Sequence, residues 1–199
     1  MRAILALALF LAGGGMAGSQ EPMPRDEALK AAFTACQDLE KMLGTPIPTD
    51  PDVKRPVGVR AEGRGLMVLP ESKLSLDQLA KAGAEVVPVG QLWLLKIAPT
   101  VEGRPANSDR LKTVNLTIDQ GDVTLTLCAL AVRKAGGGQP ELLVYGKDKQ
   151  PLLGTPLAKT SGKQENPIEV FAEREGDGAA VTLKILGSYT ASFRVSACE

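Results

Sequence analysis

From Lys112 onward the chain alternates apolar and polar residues, and this alternation limits its fold more than any other feature. Val114, Leu116 and Ile118 fall on one side of an extended chain, with Asn115 and Thr117 on the other. A period of two suits a strand with one buried face and does not suit a helix. Asp119-Gln120-Gly121-Asp122 then supplies turn residues, and Val123, Leu125 and Leu127 resume the pattern opposite Thr124 and Thr126. Two alternating runs around a short polar turn predict a β-hairpin. Beyond Leu127 both faces are apolar as far as Val132, which predicts a central strand covered on both sides.

The same pattern continues downstream. Ala135-Gly136-Gly137-Gly138 reads as a loop, and Leu142 to Tyr145 and Pro151 to Leu157 flank a Lys-Asp-Lys-Gln turn. Ile168, Val170 and Ala172 alternate up to the turn Glu175-Gly176-Asp177-Gly178. Val181, Leu183 and Ile185 form the next strand, and Tyr189, Ala191, Phe193, Val195 and Ala197 the last. About seven short strands after Lys112 predict a mainly β fold, an antiparallel β-sandwich of immunoglobulin-like or similar type.

Upstream, Pro24 to Leu43 reads as an amphipathic helix with Leu29, Phe33, Cys36, Leu39 and Leu43 on one face. Asp26 and Glu27 suit its first turn, and Gly44 suits its end. Thr45 to Pro56 holds four prolines and reads as an extended connector. Leu66 to Leu69 is a short apolar strand ended by Pro70. Ser75 and Gln78 form a capping box that opens a short second helix. Glu85–Val89 and Gln91–Ile97 are extended pieces broken by Pro88 and Gly90, and Pro99 to Arg110 is a polar loop. The expected organisation is a signal peptide over 1–19, the helix and Pro-rich connector over 20–60, and a β-rich domain over 61–199 that forms one folding unit with the helix.

The signal peptide rests on the order of three features. Met1-Arg2 is basic, Ala3 to Ala12 is apolar, and Gly13 to Ser19 is small, with cleavage expected after Ala17 or Ser19. The apolar run is shorter than the roughly 20 residues that cross a bilayer. The mature chain is therefore expected in the periplasm or secreted, with no membrane span. Lys+Arg 23 balances Asp+Glu 23, so no basic surplus attracts nucleic acid. Aromatics at 4% leave few stacking surfaces for bases or sugars.

The sequence contains 0 His. That excludes a Ser-His-Asp triad, a His-paired Cys nucleophile and a His-ligated metal. Gly-x-Ser-x-Gly and Ser-x-x-Lys are both missing, and Lys159-Thr160-Ser161-Gly162 lacks a partner motif. Gly136-Gly137-Gly138 precedes a strand and not a helix, so it is no phosphate cradle. The three cysteines Cys36, Cys128 and Cys198 are disulfide candidates, and spacing does not choose among the pairings. Carboxylates are the remaining route to catalysis. Asp119, Asp122, Glu169, Glu173, Glu175 and Asp177 sit in turns or on solvent faces, where the pairs Asp119/Asp122 and Glu175/Asp177 could hold Ca²⁺ without a complete calcium-loop pattern. Trp93 is expected in the core beneath the N-terminal helix. Asn115-Leu116-Thr117 matches a glycosylation sequon inside a strand, and no glycan is expected there.

The residues point first to an exported, non-enzymatic binding or structural protein, with no cofactor and with an envelope protein or polymer as its partner. The alternative is a secreted carboxylate-dependent hydrolase, with or without a stabilising Ca²⁺. A dimer bridged by the odd cysteine is a third, weaker expectation.

Overall fold

The computed structural model describes residues 21–39, 46–83, 85–118, 121–134 and 138–198. The predicted signal segment, Leu43 and Asp119 lie outside them. The elements, in chain order, are β1 (Glu21–Pro22), α1 (Arg25–Leu39), β2 (Val57–Ala61), β3 (Arg64–Pro70), α2 (Leu76–Ala80), β4 (Val87–Leu95), β5 (Ile97–Val101) and β6 (Arg104–Pro105). A 3-10 turn at Ser108–Arg110 leads to β7 (Lys112–Ile118), β8 (Gly121–Lys134), β9 (Pro140–Tyr145), β10 (Leu153–Pro156) and β11 (Ala158–Lys159). The chain ends in β12 (Ile168–Glu175), β13 (Gly178–Ile185) and β14 (Tyr189–Ala197).

The strands form two antiparallel sheets packed as a sandwich. One runs β1-β2-β3-β4-β8-β9-β10, with β7 also on β8; the other runs β12-β13-β14-β5-β6, with β11 also on β14. The predicted hairpin is β7–β8, in a register from Lys112↔Leu127 to Ile118↔Gly121. β8 is central because it is long. Its first half pairs with β7 and its second with β9, while β4 occupies the opposite edge from Leu125 to Val132.

Both faces of this strand are covered, which accounts for its run of apolar residues. Cys128, Leu130 and Val132 enter the cluster between the sheets, with Leu92, Leu94, Leu142, Val181, Leu183 and Phe193. Leu125 and Leu127 face the other way, into a cluster with Met67, Trp93 and the alanines of α1. Trp93 therefore lies beneath the N-terminal helix, as expected. Each fully buried Leu or Ile contributes about 1.5–3 kcal/mol.

Several details differ from the expectations. Among the described side chains of α1, Glu27, Ala28, Ala31, Ala32 and Ala35 are buried and Leu29 is half-buried; Phe33, Cys36, Leu39 and Leu43 of the expected face lie outside the described set. The Pro99–Arg110 stretch is not a plain loop, because β5 continues to Val101 and folds back as β6. Eight strands follow Lys112, one more than expected, because β11 is a separate two-residue pairing on β14. Pro88 and Gly90 do not break the strand either. They form a bulge in β4 at which the register with β8 shifts. A Cβ at Gly90 would stand 2.2 Å from the Leu69 carbonyl oxygen, so only glycine allows that approach.

The switch between sheets occurs at one residue. β4 ends at Leu95 in the first sheet and β5 begins at Ile97 in the second. Lys96, at φ 56°, makes the bend.

Candidate functional site

Three hairpins meet at one end of the sandwich. β2 turns into β3 through Glu62 and Gly63, both at positive φ of 50° and 74°. β5 turns into β6 through Glu102 and Gly103, at 51° and 79°. Two successive positive φ values are the primed turn whose twist matches a hairpin. β12 turns into β13 through Gly176 and Asp177, with Gly176 at φ 60°.

Two clefts flank the β12–β13 turn and share Asp177, Gly178, Ala179 and Val195. The first encloses about 70 Å³ between that turn and the β2–β3 turn, over the buried apolar residues Val59, Leu66, Ile97 and Val195. Its guanidiniums are Arg60, Arg64 and Arg174. The second, about 350 Å³, lies towards Thr100, Gly103, Glu175, Arg194 and Ser196.

Ion pairs and hydrogen bonds organise this end. Arg60 pairs with Glu27 of α1, which is buried. Arg174 Nη1 lies 3.2 Å from Glu62 Oε1, and Arg194 Nε lies 2.8 Å from Glu175 Oε2. Arg64 Nη1 donates to the Asp177 carbonyl at 2.9 Å. The Arg174–Glu62 and Arg64–Asp177 contacts tie the β2–β3 turn of one sheet to the β12–β13 turn of the other.

The acidic residues singled out in the sequence separate. Glu175 and Asp177 lie at this end and line the second cleft together, but Glu175 is engaged with Arg194. Asp122 is exposed at the β7–β8 turn. Glu173 is exposed on β12, and Glu169 Oε1 accepts the Glu165 amide at 3.2 Å. Among the described residues no group of three or more Cys, Asp or Glu is placed to hold a metal ion.

Cys128 and Cys198 are free thiols and do not form the bridge that spacing left open. Burial pushes the Cys128 thiol up to about 12. Burial also raises the half-buried Cys198, against a smaller opposing pull from Arg64. Cys128 points into the layer between the sheets, whereas α1, which carries Cys36, covers the opposite face of the first sheet. The Cys36 side chain lies outside the described set.

The least expected carboxylate is Glu71. It follows β3 and is 8% exposed. Its Oε1 accepts the Asp50 amide at 2.7 Å, and its Oε2 is buried with no partner among the described residues. Desolvation, joined by the nearby Asp50 charge, raises its pKa against the pull of that amide hydrogen bond. Lys73, Gln78 and Lys81 line the adjacent groove beside α2. The only signal in the sequence was an acid placed directly after an unbroken apolar strand, which gives no hint that the connector folds back onto it. Helix α2 itself opens as predicted, with Ser75 Oγ accepting the Gln78 amide at 3.3 Å.

The chain matches no protein-family model, no curated protein and no solved structure.

Proposed function

We propose that the protein is exported and acts by binding, without turnover, at the cell envelope or outside the cell. Its contact surface is the end of the sandwich formed by the β2–β3, β5–β6 and β12–β13 turns. The observation that carries this reading is the pair of clefts flanking the β12–β13 turn, the first with an apolar floor beneath charged side chains and the second lined mainly by polar groups. Turns held by a scaffold of paired strands are the usual place for recognition on a β-sandwich. Native mass spectrometry of protein purified from its own source tests it, with hydrogen exchange to map any retained partner. A retained polymer or protein that protects the three turns is the expected result. A partner that protects a different face overturns it.

A second reading, a carboxylate-dependent hydrolase, finds its support at Glu71. A buried carboxyl raised by desolvation beside a second carboxylate is the arrangement a general acid needs. Turnover on a panel of glycans and esters that disappears in Glu71→Gln would favour this reading over binding alone.

A further inference from the structure

We propose that the smaller cleft binds a carboxylate borne on a short apolar group, with Arg64 as its anchor. The proposal rests on the reading of this end as the contact surface. Three guanidiniums line the cleft, and two of them are matched, Arg60 by Glu27 and Arg174 by Glu62. Arg64 has no carboxylate partner among the described residues. It donates one hydrogen bond, to the Asp177 carbonyl, while Asp177 itself is exposed at the tip of its turn. A guanidinium carries five donors in a planar fork, and a carboxylate offers two oxygens that fit it.

The rest of the cleft defines the remainder of the ligand. Val59, Leu66, Ile97 and Val195 are all buried apolar residues at its base. A volume of about 70 Å³ takes a few water-sized groups at the base of the cleft. A fully hydrated phosphate gains nothing from such a floor, whereas a methyl or ethyl group beside a carboxylate does. The turns on both sides are held by the Arg64–Asp177 and Arg174–Glu62 contacts, so the site needs little reorganisation. Two sources share this chemistry, a small organic acid and the free C-terminus of a peptide.

Amide chemical shifts of the full chain test the proposal during titration with propionate, with acetyl-Ala-Ala-Ala as free acid, with the same peptide as its C-terminal amide, and with inorganic phosphate. Saturable shifts at Gly65, Ala172, Gly178 and Ala179 are expected with the free acids. Propionate binding as tightly as the peptide acid identifies a small-acid site; tighter binding of the peptide identifies a chain terminus. Arg64→Gln is expected to weaken the acids by about tenfold. Arg64→Lys, which keeps the charge but not the planar fork, is expected to weaken them less than Arg64→Gln, a graded loss that misfolding does not mimic. Equal binding of acid and amide, stronger binding of phosphate, or no effect of Arg64→Gln overturns the carboxylate proposal and leaves the contact surface standing. No shift in the cleft with any probe overturns it as well; the surface falls separately, if the natural partner protects another face.

Discussion

Glu71 uses one carboxylate oxygen to hold the amide of Asp50 and buries the other without a partner among the described residues. The charged form is the costly one, because desolvation and the Asp50 charge both push the pKa above the usual carboxylate range. A carboxyl whose folded pKa lies above its unfolded value contributes stability that is complete when protonated and is lost as pH rises through the folded pKa. Stability should therefore fall above the usual carboxylate range, and Glu71→Gln should remove that fall. Urea midpoints against pH are expected to show the variant gaining stability over the native protein near pH 8, with no gain near pH 3. Asp52 has the opposite sign. Burial would raise it, but hydrogen bonds from Arg55 and Lys54 outweigh that and lower it, so its contribution is lost as pH falls. The two thiols give a second test at this scale. Cys128 is expected to react with a thiol reagent only on unfolding, and Cys198 slowly in the native state, counted by intact mass. At Gly90, alanine would meet the Leu69 carbonyl, and Gly90→Ala is expected to cost about 1–3 kcal/mol in denaturant unfolding. That Gly90 marks an irregularity in the strand was legible from its identity, although the strand continues through it. The bulge was not, since it depends on which strand lies opposite.

The contrast between α1 and the β7–β8 hairpin shows why some elements were readable and others only partly so. The hairpin's register follows from its own alternation, since a slip by one residue would turn every apolar side chain to the wrong face. The extent of helix α1 was also legible, apart from the part beyond Leu39, which lies outside the described residues. Of the face expected from its leucines, only Leu29 has a described side chain. Leucine periodicity selected Leu29 as part of that face, yet the alanines at 28, 31, 32 and 35 are the residues packed on Met67, Trp93 and Leu125. Ala32→Leu is therefore expected to destabilise the protein by about 1–3 kcal/mol, read from urea unfolding, although it raises helix hydrophobicity. At the second helix, Ser75→Ala should cost about 1 kcal/mol through loss of its cap to Gln78, by the same measurement.

Across the whole molecule, two sheets and one helix form three layers around β8, which is paired along both edges and covered on both faces. Native-state hydrogen exchange is expected to be slowest in β4, β8 and β13 and fastest in the two-residue strands β1, β6 and β11. The candidate site exists only at this scale. Glu175 and Asp177 were visible in the sequence as a turn, but Arg64 lies more than a hundred positions away and Glu62 still further, and the sandwich brings them together. What the sequence determined by itself was the class of fold, the β7–β8 hairpin, the cap of α2 and the absence of histidine chemistry, because period, turn residues and composition are local properties. Only the tertiary structure decided that Lys96 carries the chain from one sheet to the other, that Cys128 and Cys198 stay unpaired, and that Glu71 lies buried under the connector. Each of these depends on what packs against a residue from far along the chain, and no local pattern encodes that.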